Sequence, residues 1–184
     1  MTDGEKMKKK EDRRVAITKR MLKDTLTEML KDHDIHHISI RELCERADVN
    51  RTTFYKHYGS QFDLLADMEQ DFLNFISQTI ETNTSGEDQL IYVFCEYLER
   101  NQEFVKLIIN NNIDPEFPQK MFALEPLRAV TLQNYSANHE AIEQDYFYNY
   151  AAYGTFRIFC IWLNKENRET AEQLARIVRK LNRR

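Results

Sequence analysis

Between Ala47 and Leu65 the chain reads ADVNRTTFYKHYGSQFDLL. Arg51, Thr52, Thr53, Tyr55, Lys56 and His57 supply hydrogen-bond donors, hydroxyls and positive charge there, around Phe54 and Tyr58. Positions i and i+4 of a helix share a face, so Phe54 and Tyr58 are expected to point into a core, with Val49 of the preceding turn. The polar residues then fall on the other sides, several at the N-terminal end of the helix. Their types suit a polyanion with readable base edges. The arginine fork of Arg51 matches guanine O6 and N7, and a threonine methyl can touch a thymine methyl. Tyr55, His57 and Ser60 suit phosphate oxygens, as do the free N–H groups that open the next helix.

Such chemistry needs a scaffold, and the flanking residues provide one. Ser39 with Glu42 forms a capping box that starts a short helix with Ile40, Leu43, Cys44 and Ala47 on one face. Asp-Val-Asn (48–50) makes the turn, and Asn50 caps a helix over Arg51–Tyr58 that Gly59 ends. Ser60 with Asp63 forms a second box and opens a long apolar-patterned helix. Upstream, Val15, Leu22, Leu26, Met29 and Leu30 predict a helix from about Arg13 to Lys31. Residues 1–12 read as a flexible, solvated tail. Two short helices joined by a tight turn make a helix-turn-helix candidate.

The remaining chain is also helical in pattern. Only four glycines and three prolines interrupt 184 residues, and 42% of them are hydrophobic. An all-α protein of about nine helices follows. Loops are expected at 84–88 and 110–118, and Pro126 should kink or restart a helix. Residues 139–167 are rich in aromatics. Thr170 with Gln173 makes a third capping box before a last helix carrying Leu174, Ile177, Val178 and Leu181. The expected division is the tail, a DNA-binding domain over 13–60, and a regulatory and dimerisation domain over 61–184.

Charge is distributed unevenly. Residues 1–60 hold 14 Lys/Arg against 11 Asp/Glu, a net +3, while residues 61–184 hold 12 against 19, a net −7. A basic head on an acidic body fits a head that meets polyanions. No apolar run approaches the roughly 18–20 residues that span a bilayer, and the charged N-terminus has no apolar signal core, so a cytoplasmic protein with no membrane partner is expected. Cys44, Cys95 and Cys160 are spaced as buried free thiols. Asp32, His33, Asp34, His36 and His37 lack clean ligand spacing and read as a solvated loop, not a metal site. There is no Gly-rich phosphate loop, nucleophile elbow or acid/base set, so neither enzymatic activity nor a cofactor is expected.

The run ISIRELCERADVNRTTFYKHYGSQFDLL closely resembles the helix-turn-helix of the TetR family of transcriptional regulators. Val49, Thr53, Phe54, Tyr55, His57, Tyr58, Ser60, Leu64 and Leu65 all match its pattern, and the likeness covers about residues 13–66. The resemblance implies that Arg41, Arg51, Thr52, Thr53 and Lys56 read bases, and that Ser39, Tyr55, His57, Ser60 and Gln61 hold phosphates. Arg13 and Arg14 precede helix 1, within reach of a neighbouring groove or phosphate. Two positions depart from the pattern. Asp48 stands where a turn glycine is usual, and Asp tolerates a left-handed backbone better than most residues. Gln61 replaces the usual phosphate-binding lysine and brings no charge.

The C-terminal stretch YNYAAYGTFRIFCIWLNKENRETAEQLARIV resembles the subclass that includes dihydroxyacetone-kinase-operon-type regulators. The resemblance implies a homodimer, probing double-stranded operator DNA with two heads and acting as a ligand-responsive repressor. Helices 140–164 and 171–182 are expected to pair with their copies as a four-helix bundle, through Tyr153, Gly154, Arg157, Ile161, Leu174, Ile177, Val178 and Leu181. Phe94, Tyr97, Phe104, Phe122, Tyr146, Tyr150, Tyr153 and Phe156 are candidates to line a pocket for a small apolar or aromatic effector; their alternative role is plain core. The alternative function is a co-activator or adaptor of the same fold whose main partner is another protein.

Overall fold

Among the described residues, ten α-helices and one short 3₁₀ turn account for the secondary structure, and no strand occurs. The computed structural model describes residues 3–83, 87–110, 113–133 and 140–182. The expected all-α class is the observed one. The loops expected at 84–88 and 110–118 fall partly outside the described residues. The count exceeds nine because Asn101 separates α5 (Glu87–Arg100) from α6 (Gln102–Asn110), and residues 123–124 separate α7 (Phe117–Phe122) from α8 (Glu125–Leu132). Proline stands in the first turn of both α7 and α8. Proline has no N–H to donate and is tolerated there, so Pro126 restarts a helix instead of kinking one.

The chain divides into two compact units, Met1–Gln70 and Asp71–Arg184. The first holds α1 (Asp3–Met29), the 3₁₀ turn (Ile35–His37), α2 (Ile40–Arg46), α3 (Arg51–Tyr55) and the first turns of α4 (Gln61–Thr82). Its core is built from Leu22, Leu26, Met29, Leu30, Ile35, Leu43, Phe54, Tyr58, Leu64 and Met68, all buried. Two expectations need correction. Residues 3–12 continue α1 instead of forming a tail. Their Lys, Glu and Met residues are good helix formers, and extending an existing helix requires fixing only one residue per added hydrogen bond. The unit boundary falls after Gln70, not after Ser60, because Leu64, Leu65 and Met68 of α4 are part of the head's own core.

In the second unit α10 (Ala171–Asn182) packs on α5 and on α9 (Ala141–Leu163), and α6 and α8 pack on α9. Trp162 and Leu163, both buried, anchor the end of α9 in this core. The Trp162 indole N–H donates to the Glu169 carbonyl at 2.7 Å, and the Arg168 guanidinium lies 4.9 Å from the ring centroid. Arg168 also donates to Gln102 and Glu99, both at 3.1 Å, so the α9–α10 connection is tied to α5 and α6. The expected capping box before α10 is complete: the Thr170 N–H donates to Gln173 Oε1 at 2.9 Å, and the Gln173 N–H donates to Thr170 Oγ1 at 3.2 Å. The three cysteines are free and buried, as their spacing implied.

Candidate nucleic-acid interface

The surface of α3 is set by three local devices. Asp48 sits at φ 51°, the left-handed turn conformation expected of it. The Val49 N–H then donates to the Cys44 carbonyl at 3.0 Å, which closes the turn onto α2. Asn50 caps α3, its side-chain oxygen accepting from the Thr52 N–H at 2.8 Å. Phe54 is fully buried and Tyr58 nearly so, their ring centroids 5.7 Å apart. The helix ends at Tyr55, earlier than expected, and its last turn tightens: the Lys56 N–H donates to the Thr53 carbonyl and the His57 N–H to the Phe54 carbonyl. This i→i+3 tightening still delivers Tyr58 to the core.

With Phe54 and Tyr58 fixed inward, Arg51, Thr52, Tyr55 and Lys56 are exposed, and Thr53 and His57 are half-buried. Tyr55 is 58% exposed. Arg51 has no ion-pair partner among the described residues. Arg41 is different: its Nε donates to Glu45 at 2.8 Å, an exposed pair along α2. Such a pair exchanges readily for another anion because water screens it. Ser39 Oγ accepts from the Glu42 N–H and Ser60 Oγ from the Asp63 N–H, each at 3.2 Å. Each hydroxyl keeps its own proton, which can be donated to a phosphate oxygen. Glu42 turns to Arg46 at 2.7 Å, and Asp63 returns to the Gly59 N–H at 2.9 Å. The Gln61 amide donates to the Ile35 carbonyl at 3.4 Å, so part of its hydrogen-bonding capacity faces the scaffold. The Asp34 side chain accepts from the His36 N–H at 2.8 Å, capping the 3₁₀ turn.

One residue central to this scaffold escaped the sequence reading. Asp67 on α4 accepts from the Tyr58 hydroxyl at 2.7 Å and from Lys23 at 2.8 Å, with Lys19 at 3.5 Å. Partial burial opposes its charge, but the hydrogen bonds from Lys23 and Tyr58 and the two lysine charges outweigh that, and the carboxyl is held below its usual range. Lys19 also lies over the Tyr58 ring at 5.2 Å. No local pattern announces this cluster, because its members come from α1, the segment after α3, and α4.

The second unit contains a cavity of about 600 Å³. Of the candidate pocket residues, Phe94, Phe122 and Phe156 line it. The other candidates do not. Tyr97 stacks on Phe75 at 3.7 Å between centroids, and burial pushes its phenol up to about 12, with Asp71 adding to the shift. Phe104 packs against the core. Tyr146, Tyr150 and Tyr153 are 75%, 72% and 44% exposed on the outer side of α9. There they join exposed Gly154, Arg157 and Ile161, with Ile177 and Leu181 exposed on α10. Leu174 and Val178, expected at a dimer interface, are 3% and 0% exposed and belong to the chain's own core. Helix α9 is apolar on nearly every side, so helical spacing alone cannot separate its inner face from its outer one. On α10 the apolar stripe is wide enough to serve both.

Comparison with known proteins agrees with this architecture. Residues 24–68 match the family model for bacterial regulatory proteins of the tetR family, and residues 87–184 match a model for a transcriptional regulator C-terminal region. The HTH-type transcriptional regulator YxbF of Bacillus subtilis is 25% identical over 165 residues, covering 85% of this chain and 42% of its own length. The HTH-type dhaKLM operon transcriptional activator DhaS of Lactococcus lactis is 25% identical over 104 residues, covering 55% of this chain and 54% of its own length. The chain thus spans about half or less of each of these relatives. The crystal structure of a TetR transcriptional regulator from Streptococcus agalactiae superposes with a TM-score of 0.70 at 19% identity, covering 95% of this chain and 98% of that one. With both units matched by family models, the chain belongs to the TetR family of bacterial transcriptional regulators.

Proposed function

We propose that this regulator is a cytoplasmic homodimer that reads a near-palindromic operator with two α2–α3 heads. The observation that carries the reading is the outward set Arg51, Thr52, Tyr55 and Lys56, exposed around a helix whose Phe54 is buried. In this reading Arg41, Arg51, Thr52, Thr53 and Lys56 face base edges. Ser39, Tyr55, His57, Ser60 and Gln61 hold the backbone. Among the described residues no helix is long and apolar enough to cross a membrane.

The dimer reading rests on the exposed face of α9 and α10. Tyr150, Tyr153 and Ile161 are exposed on α9, and Ile177 and Leu181 on α10, large apolar side chains that a second copy would cover. A Cβ built on Gly154 would meet nothing within 4 Å, so a second copy's helix has room to approach there. Leu174 and Val178 are excluded from that face by their burial. An effector that binds one arrangement of the paired heads better than another shifts operator affinity by that difference.

The test is a gel shift on the DNA upstream of the chain's own gene. Arg51→Ala plus Tyr55→Ala should abolish the retarded band at a concentration where the parent shifts it fully. Unchanged binding by the double variant sinks the site assignment. A dimer with no salt-sensitive DNA affinity that instead captures a protein partner favours the adaptor alternative. Repression is the primary reading of the sign; the relative DhaS, an activator by name, favours activation as the second. A promoter–reporter fusion in a deletion strain separates them: expression rises for a repressor and falls for an activator.

A further inference from the structure

We propose that the cavity of the second unit takes an uncharged, largely apolar small molecule carrying at most hydroxyl or carbonyl groups. The proposal deepens the effector reading and rests on it only for its regulatory meaning. A volume of about 600 Å³ suits a drug-sized ligand. Phe72, Phe94, Phe122, Phe147, Phe156 and Phe159 supply much of the wall, with aliphatic side chains between them. The polar side chains on the wall are those of Thr79, Thr131 and Thr155, and no charged side chain lines it among the described residues.

The chemistry of that wall selects against charge. An ionised carboxylate or ammonium moved from water to an apolar wall loses far more hydration than three hydroxyls restore. The Thr131 hydroxyl already donates to the Leu127 carbonyl at 2.7 Å, so toward a ligand it offers lone pairs. Nearby phenols are directed elsewhere: the Tyr148 hydroxyl donates to the Phe122 carbonyl at 2.7 Å and the Tyr92 hydroxyl to Glu96 at 2.8 Å. What remains matches aromatic or aliphatic bodies with one or two neutral polar groups. Ala151 and Ala152 leave space that larger residues on α9 would fill.

The test uses the full chain and two dyes that differ by one charge, N-phenyl-1-naphthylamine and 1-anilinonaphthalene-8-sulfonate. Fluorescence titration should give one site per chain for the neutral dye, with a Kd at least about tenfold below that of the sulfonate, a gap of about 1.4 kcal/mol. 1-Decanol should displace the neutral dye, and decanoate at pH 8 should not at equal concentration. Ala152→Leu and Thr155→Leu should each weaken the neutral dye about tenfold or more. Equal affinity for both dyes, or equal displacement by decanoate, overturns the proposal in favour of an amphiphile whose charged head stays in water. Absence of dye binding, or parent-like binding by both filled variants, overturns the cavity as the site. If a filled variant loses helicity, the charge comparison on the parent chain still decides. Operator binding is scored separately, so a chain that binds dye but not DNA counts against the proposed DNA role alone.

Discussion

The ring of Phe122 lies 4.2 Å, centroid to centroid, from the ring of Tyr153. The first lines the cavity and the second stands on the outer face of α9. Phe122 also meets Phe156 edge-on at 5.7 Å. If the proposed effector moves Phe122, the displacement should reach the surface the dimer is proposed to use, since close-packed side chains transmit displacement. Aromatic pairs contribute about 0.5–1.5 kcal/mol beyond area burial. Phe122→Ala should accordingly raise the dimer dissociation constant about three- to tenfold although Phe122 is not on the exposed face. Sedimentation velocity across a concentration series reads it, with Tyr153→Ala as the direct-contact control. An unchanged constant in the Phe122 variant removes the relay.

Asp67 should make the head sensitive to acid. Its carboxyl is held low in the folded state by Lys23, Tyr58 and Lys19 against the opposing effect of burial. For a depressed carboxyl, the stabilisation is fully present above the unfolded value, near 3.9, and is lost as pH falls through the folded value. Protection of α1 and α4 amides from hydrogen exchange should therefore drop below about pH 4. Asp67→Asn should lower that protection by about 1–2 kcal/mol at neutral pH and flatten its acid dependence. A variant with the parent's pH profile would show that the cluster does not couple to folding.

The helix-turn-helix was legible because its information is local. Caps such as Ser39 and Asn50, the turn at Asp48 and the Phe54–Tyr58 spacing all act within a few residues, and each forms in the structure. The C-terminal site was only partly legible for the opposite reason. Tyr146 and Phe147 are neighbours in sequence, yet one is exposed and the other lines the cavity. On a helix apolar all round, what each residue meets is decided by partners far away in the chain. Asp67 illustrates the same limit for a polar residue, since Lys19 lies 48 positions upstream of it. The N-terminal extent of α1 is not legible because residues 3–12 carry no apolar periodicity, although their Lys and Glu favour helix.

Asp48 carries a backbone conformation that disfavours most side chains. Left-handed geometry costs a typical L-residue roughly 1–2 kcal/mol, somewhat less for Asp. Asp48→Gly should remove that strain and stabilise the head by up to about 1 kcal/mol, offset in part by the greater freedom of glycine in the unfolded chain. Asp48→Val should destabilise it by about 1–2 kcal/mol, because a β-branched side chain is poorly accommodated there. Hydrogen exchange of the α2–α3 amides orders the three proteins. A valine variant as protected as the parent contradicts the strain assignment.

The three thiols should be inert in the folded chain. Burial pushes the Cys95 thiol up to about 12, with Glu99 adding to the effect, and burial also raises Cys44 and Cys160. The thiolate is the reactive form, so each buried thiol holds less of it than a free cysteine at the same pH. Iodoacetamide at pH 8 should modify the native protein far more slowly than the urea-unfolded protein, as read by intact mass over time. Rapid labelling of Cys95 in the native state would mean that α5 opens readily.

Gln61 opens α4 at the position where the family pattern carries a lysine, and its amide already reaches the Ile35 carbonyl at 3.4 Å. A neutral side chain there can hydrogen-bond a phosphate but releases no counterion. Gln61→Lys should therefore strengthen operator binding at low salt. It should also steepen the slope of log K against log salt by about 0.9 per subunit, the value for one added phosphate contact on duplex DNA. The gain should be the same on operator and unrelated DNA, since a backbone contact carries no sequence information. Gel shifts at several salt concentrations give the slope for both proteins. An unaltered slope would place residue 61 away from the phosphates, and its amide would then serve only to hold α4 against the 3₁₀ turn.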